Sequence, residues 1–231
     1  MQTLNLILLT ALELDELRGV LKSSFSASAS AENRDVFTKL FNCWCHNPVA
    51  TLSLCLMAQA YDLASELVKK FAQVEITVGF LMQIDKLVQL IESPIFVQLR
   101  LQLLEVDSGY HPSLLKALYG LLMLLPQSAA FRTLSDRLAT VSSLKQHLGS
   151  GAGRDGAASG ASSLWSESER KGGAASARGG FDHAGLLRHF EHVQAKHAAA
   201  RHEALLSRSL QGHPTSAQAN GPPRPPAKAN E

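Results

Sequence analysis

Three cysteines and a histidine form the group of residues in this sequence best suited to chemistry. Cys43, Cys45 and His46 fall within four residues, and Cys55 follows ten residues after Cys45. Such a cluster could ligate zinc or supply a nucleophilic thiolate. In a helix, however, Cys43 and Cys45 would lie about 200° apart around the axis and point to opposite faces. We therefore predict that the cysteines are core residues, with a metal ligand or a nucleophile as the alternative.

Histidines form a second candidate group near the C-terminus, where six of the nine in the chain lie between His183 and His213. A helical metal site needs ligands three or four residues apart on one face. At 100° per residue, four of these histidines surround the helix axis instead. They are His189, His192, His197 and His202. The pattern predicts a polar helix surface, and we predict no metal and no cofactor.

Other catalytic signatures are missing from the sequence. The run Gly149-Ser-Gly-Ala-Gly153 is rich in glycine, but no strand precedes it and no Lys-Ser or Lys-Thr pair follows, as a phosphate-binding loop requires. Neither a Gly-x-Ser-x-Gly elbow nor a protein-kinase motif is present. His46, beside a predicted helix end, is expected to bond the end of that helix rather than to act as a base. We predict no phosphotransfer or phosphatase activity from the chain by itself.

Composition narrows the possible functions further. The chain has 231 residues, of which 45% are apolar, and a formal net charge of +2. This charge argues against nucleic-acid binding through bulk electrostatics. The uncharged opening of 12 residues would rise only about 18 Å as a helix, which is too short for a bilayer core of about 30 Å. An odd number of clustered cysteines suits a reducing compartment, so we expect a cytoplasmic protein without a membrane span.

The elements that must position these residues are predicted to be helices. Apolar residues recur at three and four positions throughout residues 1–147, and Gly, Pro and Asn separate the runs. The predicted helical segments are Thr3–Leu21, a segment from near Asn33 to Pro48, Pro48–Ala60, Tyr61–Phe71, Glu75–Glu92, Pro94–Val106, Pro112–Leu125 and Ser128–Val141. Short connections between them predict an all-α fold of antiparallel helix pairs stacked as a HEAT-like α-solenoid, with Trp44 packed inside.

The remaining residues divide into three segments. Residues 148–180 are rich in Gly, Ala and Ser, with Leu164 and Trp165 as nearly the only large apolar residues, and predict a flexible linker. Residues 181–210 predict a C-terminal helix, for which Asp182 is a plausible N-cap. Residues 211–231 end in a proline-rich sequence that predicts a disordered tail.

The C-terminal helix carries a short apolar stripe. Its strong positions are Leu186, Phe190 and Val193, flanked by Leu187. A helix this short with an exposed apolar stripe is marginal alone in water, so we expect it to dock. The stripe is therefore our candidate surface for self-association, with docking on the chain's own solenoid as the alternative.

Several long runs of this sequence resemble one protein family. They are FNCWCHNPVATLSLCLMAQAYDLASELVKKF, DKLVQLIESPIFVQLRLQLLE and LLKALYGLLMLLPQSAAFRTLSDRL, followed later by LLRHFEHVQAKH. In this order they are similar to the C-terminal region of the vacuolar protein fourteen family, a vacuole-morphology scaffold. The resemblance spans roughly residues 1–144 and 181–202, with Cys43 where the family is expected to have serine.

The resemblance implies a non-catalytic HEAT-repeat scaffold, peripheral on endosomal and vacuolar membranes. Its family organises the complex that makes and degrades phosphatidylinositol 3,5-bisphosphate, and the C-terminal region implies binding of a Sac-domain phosphatase and self-association. Family members carry further N-terminal repeats, so we expect this sequence to be either a fragment or a truncated gene model. The resemblance implies that a FYVE-finger kinase is contacted by the missing repeats. A generic helical-repeat adaptor of another membrane-traffic complex is the alternative function.

Overall fold

The protein is described by a computed structural model over residues 1–26, 28–149 and 182–211. The α-helices within these ranges are α1 Gln2–Thr10, α2 Asp15–Ser23, α3 Ala31–Trp44, α4 Pro48–Met57, α5 Tyr61–Lys70, α6 Val78–Glu92, α7 Val97–Gln102, α8 His111–Leu124, α9 Ala129–Gly149 and α10 His183–Gln211. No strand occurs among the described residues. The predicted all-α class is therefore confirmed.

Polar caps begin several of these helices where the sequence predicts a restart. Asn47 accepts a hydrogen bond from the N–H of Ala50, and Pro48 occupies the first helical position of α4, where a missing N–H loses no intrahelical bond. Asp182 accepts from the N–H of Gly185 at 2.8 Å, so its predicted role as the N-cap of α10 is confirmed. Local side-chain chemistry thus fixes where these helices begin.

The first predicted helix, Thr3–Leu21, is wrong as a single element. Ala11 adopts an extended conformation with φ −70° and ψ 127°, and this breaks the run into α1 and α2. The guanidinium of Arg18 then donates to the carbonyls of Leu8 and Ala11, at 3.0 and 2.7 Å. Because Arg18 satisfies carbonyls at the end of α1, the break costs little hydrogen bonding.

Two other predicted boundaries also differ from the structure. The segment Pro94–Val106 is a 3₁₀ turn, Pro94–Phe96, followed by the short helix α7. Helix α9 continues to Gly149, eight residues past the predicted end at Val141. Predicted ends are the least certain part of a sequence-based assignment, because helices end where tertiary contacts allow.

Helix α4 forms the centre of the core, since every residue from Val49 to Met57 is buried. It contacts α1, α2, α3, α5 and α6. Neighbouring pairs along the chain, such as α2 with α3 and α8 with α9, pack against each other as expected of a stacked helical array. Helix α5 packs against α8, where Gly120 leaves room for Val68.

Trp44 packs at the edge of this core. Its ring is partly buried against the core cluster, and its Nε1–H donates to Asn5 Oδ1 at 3.2 Å. The Asn5 amide in turn donates to Ser53 Oγ at 3.3 Å. Asn5 therefore links α1 to α3 and α4. The predicted linker at 148–180 and the tail at 211–231 lie almost entirely outside the described residues.

Candidate partner-binding surfaces

The cysteine cluster is divided between core and surface. Cys45 and Cys55 are fully buried, whereas Cys43 is exposed, so its prediction as a core residue is wrong. Burial, with a smaller contribution from the neighbouring Cys43, raises the pKa of Cys45 to about 12. Burial also raises the pKa of Cys55 well above its usual value. Both buried thiols stay protonated at neutral pH, and a protonated thiol is a poor nucleophile.

His46 contacts His197, and no local sequence pattern predicts this contact. Its Nδ1 lies 2.9 Å from Nε2 of His197, and the two rings meet edge to face. One nitrogen of this pair must be unprotonated to accept the hydrogen bond. Burial, His46 and Arg201 lower the pKa of His197. Across the described ranges, no group of three His, Cys, Asp or Glu side chains could hold a metal ion.

His111 is a buried histidine for which the sequence predicts no role. His111, the first residue of α8, is 1% exposed, and its Nε2 lies 3.2 Å from the carbonyl oxygen of Leu103. Burial lowers its pKa, and Lys145 acts in the same direction. The neutral ring can donate to that carbonyl, so His111 fastens the start of α8 to the chain that follows α7.

A groove of about 520 Å³ runs between α1, α4 and α6. Its floor is apolar and includes Leu6, Val49 and Leu87. Leu6 is 48% exposed although it is a large apolar residue on the helix that forms one wall. A concave apolar floor with an exposed leucine is typical of a surface that receives another protein segment.

Amide side chains line the edge of this groove. The Nδ2 of Asn47 donates to Oε1 of Gln83 at 2.7 Å, which joins the start of α4 to α6. Gln2, Asn5 and Gln89 also line it, and Lys86 is the one charged residue among the described residues of the lining. Amides both donate and accept, so the edge can pair with backbone or polar groups of a partner without selecting a strongly charged one.

The predicted stripe of the C-terminal helix packs on the same chain. Leu186, Phe190 and Val193 are buried, and Leu187 is partly buried. Helix α10 contacts α3 and α5, and the ring of Phe190 lies 6.4 Å from that of Phe71. This arrangement matches the alternative in which the helix docks on its own solenoid. While α10 is docked, these side chains are unavailable to a second copy.

Polar contacts hold α10 along the same contact surface. The Nε2 of Gln194 donates to the Cys45 carbonyl at 2.6 Å. Lys70 pairs with Glu191 at 2.6 Å, and Arg201 pairs with Glu75 at 2.9 Å. These ion pairs are substantially exposed, so each contributes little to docking. The buried stripe is the main source of docking free energy.

Comparison with known proteins assigns a family to the helices on which α10 docks. A family model described as "Vacuolar protein 14 C-terminal Fig4p binding" matches residues 1–141. The chain belongs to this family. The matched part runs from α1 into α9, so it includes the groove between α1, α4 and α6 and excludes α10.

Three relatives named for the same family are similar to this chain in sequence. The chain is similar to a protein VAC14 homolog of Arabidopsis thaliana, 51% identical over 66% of this chain and 20% of the relative. It is 53% identical to a VAC14 homolog of Schizosaccharomyces pombe, over 59% of this chain and 16% of that protein. It is 43% identical to vacuole morphology and inheritance protein 14 of Saccharomyces cerevisiae, over 59% of this chain and 14% of that protein.

The chain therefore spans about a fifth or less of the length of these vacuolar protein 14 relatives. No solved structure matches it. Within the described residues, no helix combines the length and apolar content needed to cross a membrane.

Proposed function

We propose that this chain is a non-catalytic scaffold element that binds a Sac-domain lipid phosphatase. The observation that carries the proposal is the match of residues 1–141 to a family described by its binding of Fig4p. In the vacuolar protein 14 family this implies a complex that controls phosphatidylinositol 3,5-bisphosphate synthesis and turnover. A rigid array of helices suits such a role, because it offers extended surfaces on a fixed framework.

The groove between α1, α4 and α6 is the proposed contact surface. It lies within the matched residues, and its apolar floor is accessible. The face of α3 and α5 is less suitable, because α10 already covers it. Binding that buries Leu6 would remove apolar area from water, the main favourable term in association. The amide edge would then set the orientation of the partner.

Further partners follow from the same proposal. We expect a FYVE-finger phosphoinositide kinase to be contacted by repeats outside this chain, and the scaffold to form a homo-oligomer. Because the stripe of α10 is buried in its own chain, self-association would use another surface or an exchange of α10 between copies. We place the scaffold in the cytoplasm, peripheral on endosomal and vacuolar membranes and held there by its partners.

Affinity copurification of the tagged full chain tests this function. Recovery of a Sac-domain phosphatase is the expected result, and its consistent absence would favour a generic adaptor of another membrane-traffic complex. Leu6→Asp should lower recovery about tenfold or more, equivalent to about 1.4 kcal/mol of binding free energy, because the carboxylate must be desolvated.

The matched control is Leu205→Asp. Leu205 is 65% exposed and lies on α10, outside residues 1–141. It introduces the same charge on an exposed leucine, so it should leave phosphatase recovery unchanged. If wild-type protein recovers the phosphatase and both variants do so equally, the function stands and the groove is the wrong surface.

A further inference from the structure

Helix α10 contacts two adjacent residues of the turn between α3 and α4, which covers residues 45–47. The carbonyl oxygen of Cys45 accepts a hydrogen bond at 2.6 Å from Nε2 of Gln194. At the next residue, Nδ1 of His46 lies 2.9 Å from Nε2 of His197. Gln194 and His197 are three residues apart and therefore share one face of the helix. That face holds the turn at two neighbouring points.

The histidine pair marks the end of the docked part of α10. The buried stripe ends at Val193, and His197 is partly buried. All residues from 198 to 208 are exposed. Arg201 still pairs with Glu75 at 2.9 Å, but both side chains of that ion pair are in solvent. Among the described side chains of α10, His197 is therefore the last that the other helices shield from water.

The contact between the two rings requires at least one neutral histidine. A hydrogen bond between two imidazoles needs one nitrogen that carries a proton and one that does not. A neutral pair meets this condition, and so does a pair with one imidazolium. When both rings are imidazolium, every ring nitrogen is a donor, so the hydrogen bond is lost and two like charges are in contact. Docking of α10 therefore disfavours the second proton of the pair.

The charges around the pair do not favour a second proton. Burial lowers the pKa of His197, and His46 and the cation of Arg201 act in the same direction. On the last turn of α3 the titratable side chain is that of Cys43, which is exposed. The carboxylates at this end of α10 are already combined in ion pairs, namely Glu75 with Arg201 and Glu191 with Lys70 of α5. Both carboxylates therefore balance other cations.

A further histidine lies at the opposite end of the docked stretch. His183 begins α10, and its ring lies 6.2 Å from that of Phe25. Burial lowers the pKa of His183, although Asp62 and Asp182 act in the opposite direction. Protonation of His183 is thus a separate source of pH dependence at the start of α10. Substitutions within the pair of His46 and His197 are needed to separate the two.

We propose that the contact between His46 and His197 makes the docking of α10 depend on pH. At neutral pH the pair is hydrogen-bonded and the helix lies on α3 and α5. As both rings take up protons, α10 leaves the turn between α3 and α4, beginning at His197, and the face of α3 and α5 is uncovered in a larger fraction of chains. This device goes beyond the proposed scaffold function, because it controls a different surface from the groove between α1, α4 and α6.

Proton linkage sets the size of the effect. In a released α10 each histidine of the pair titrates at about pH 6.5. Below that pH the released form binds two protons where the docked pair binds one, so release becomes more favourable by up to about tenfold per pH unit. The contribution of the pair to docking is therefore present above about pH 6.5 and is lost as the pH falls. Between pH 7 and pH 5 the equilibrium constant for opening of α10 should increase about tenfold.

Hydrogen exchange of the α10 amides in the full chain tests this proposal. Exchange rates from Val193 to His197, corrected for the intrinsic effect of pH, give the opening equilibrium, and the buried helix α4 reports global unfolding. His197→Gln keeps a side chain that hydrogen-bonds to His46 but takes up no proton. This variant should leave the opening equilibrium at pH 7 within about threefold of the wild type and reduce the increase at pH 5 to about twofold. His46→Gln should have the same effect.

His192→Gln is the matched control, because His192 is exposed and lies on the same helix between Phe190 and Val193. It should retain the full increase in opening. Exchange in α10 that is the same at pH 7 and pH 5 overturns the proposal. An increase that survives both His197→Gln and His46→Gln also overturns it, since the pair would not be the cause. An increase shared equally by α4 does so as well, because the whole chain would then be unfolding.

Nuclear magnetic resonance titration of the histidine rings in the wild-type chain is the second measurement. Two coupled groups lose their protons in two steps, so His46 and His197 should titrate with apparent pKa values more than about one unit apart. His192 should titrate in a single step. Single, equal titrations of His46 and His197 would show that the two rings do not interact and would overturn the proposal.

Discussion

Gly120 lets α8 pack closely against α5, and replacing Gly120 tests this helix packing. A Cβ at this position would lie 2.3 Å from Cγ1 of Val68. Carbon atoms in contact prefer about 3.5 to 4.0 Å, so the added methyl group overlaps strongly. The side chain of Val68 cannot turn away easily, because a β-branched residue in a helix has one strongly preferred rotamer. The helices must therefore move apart.

The expected cost follows from two opposing effects. Overpacking of a core costs about 1 to 3 kcal/mol, and an overlap this severe belongs at the upper end. Alanine is more favourable than glycine inside a helix by about 1 kcal/mol, which offsets part of that cost. We predict that Gly120→Ala lowers the free energy of unfolding by about 2 kcal/mol, or about 4 to 8 °C in melting temperature.

A double-mutant cycle with Val68→Ala identifies the cause. Removing Cγ1 leaves the Cβ of residue 68 at 3.4 Å from the new methyl group, an ordinary contact. In that background Gly120→Ala should stabilise the chain by about 1 kcal/mol, which makes the coupling energy about 3 kcal/mol. Gly19→Ala is the control, because nothing lies within 4 Å of its added Cβ, and it should also stabilise by about 1 kcal/mol.

Urea denaturation followed by circular dichroism measures the unfolding free energies of the wild-type chain and of the four variants. A Gly120→Ala variant as stable as the Gly19→Ala variant would refute the close contact between α5 and α8. A destabilised Gly120→Ala that Val68→Ala does not relieve would show that the contact partner is wrong.

Three further predictions concern single side chains. In native protein a thiol reagent should modify Cys43 rapidly while Cys45 and Cys55 react only on unfolding; three equally fast thiols would contradict their burial. Because the folded-state pKa of His111 is lowered, its contribution to stability is present above about pH 6.5 and is lost as pH falls through the lower folded pKa. His111→Asn should therefore reduce the loss of unfolding free energy between pH 7 and pH 5. An identical pH dependence in the variant and the wild type would argue against the buried neutral ring. Asp182→Ala should weaken the first turn of α10 by about 1 kcal/mol, seen as faster amide exchange confined to that helix, and unchanged exchange would mean that the cap does not hold it.

Local signals in the sequence predicted much of this fold. The Asn-Pro pair at 47–48 predicts a capped restart, and Asp182 predicts the N-cap of α10, because the chemistry of both lies within a few residues. The break at Ala11 was missed because alanine favours helix. Its cause is tertiary, since Leu8 and Leu9 are buried on one side of it and Arg18 satisfies the freed carbonyls.

Less of the partner-binding surfaces than of the fold could be predicted from the sequence. Cys43 and Cys45 were predicted to point to opposite faces of one helix, and that geometry already implies that only one of them can face the core. The contact between His46 and His197 joins residues 151 positions apart, and neither has a neighbouring residue that signals it. The groove needs α1, α4 and α6 together, so its floor becomes visible only once three separate helices are assembled.

Amide hydrogen exchange of the full chain, alone and with a purified Sac-domain phosphatase, tests whether the groove between α1, α4 and α6 binds the phosphatase. The phosphatase should slow exchange in α1, at the start of α4 and along the α6 residues that line the groove, and should leave exchange in α10 unchanged. Absence of binding would contradict the proposed scaffold function, and protection of other helices with an unchanged groove would contradict the proposed surface.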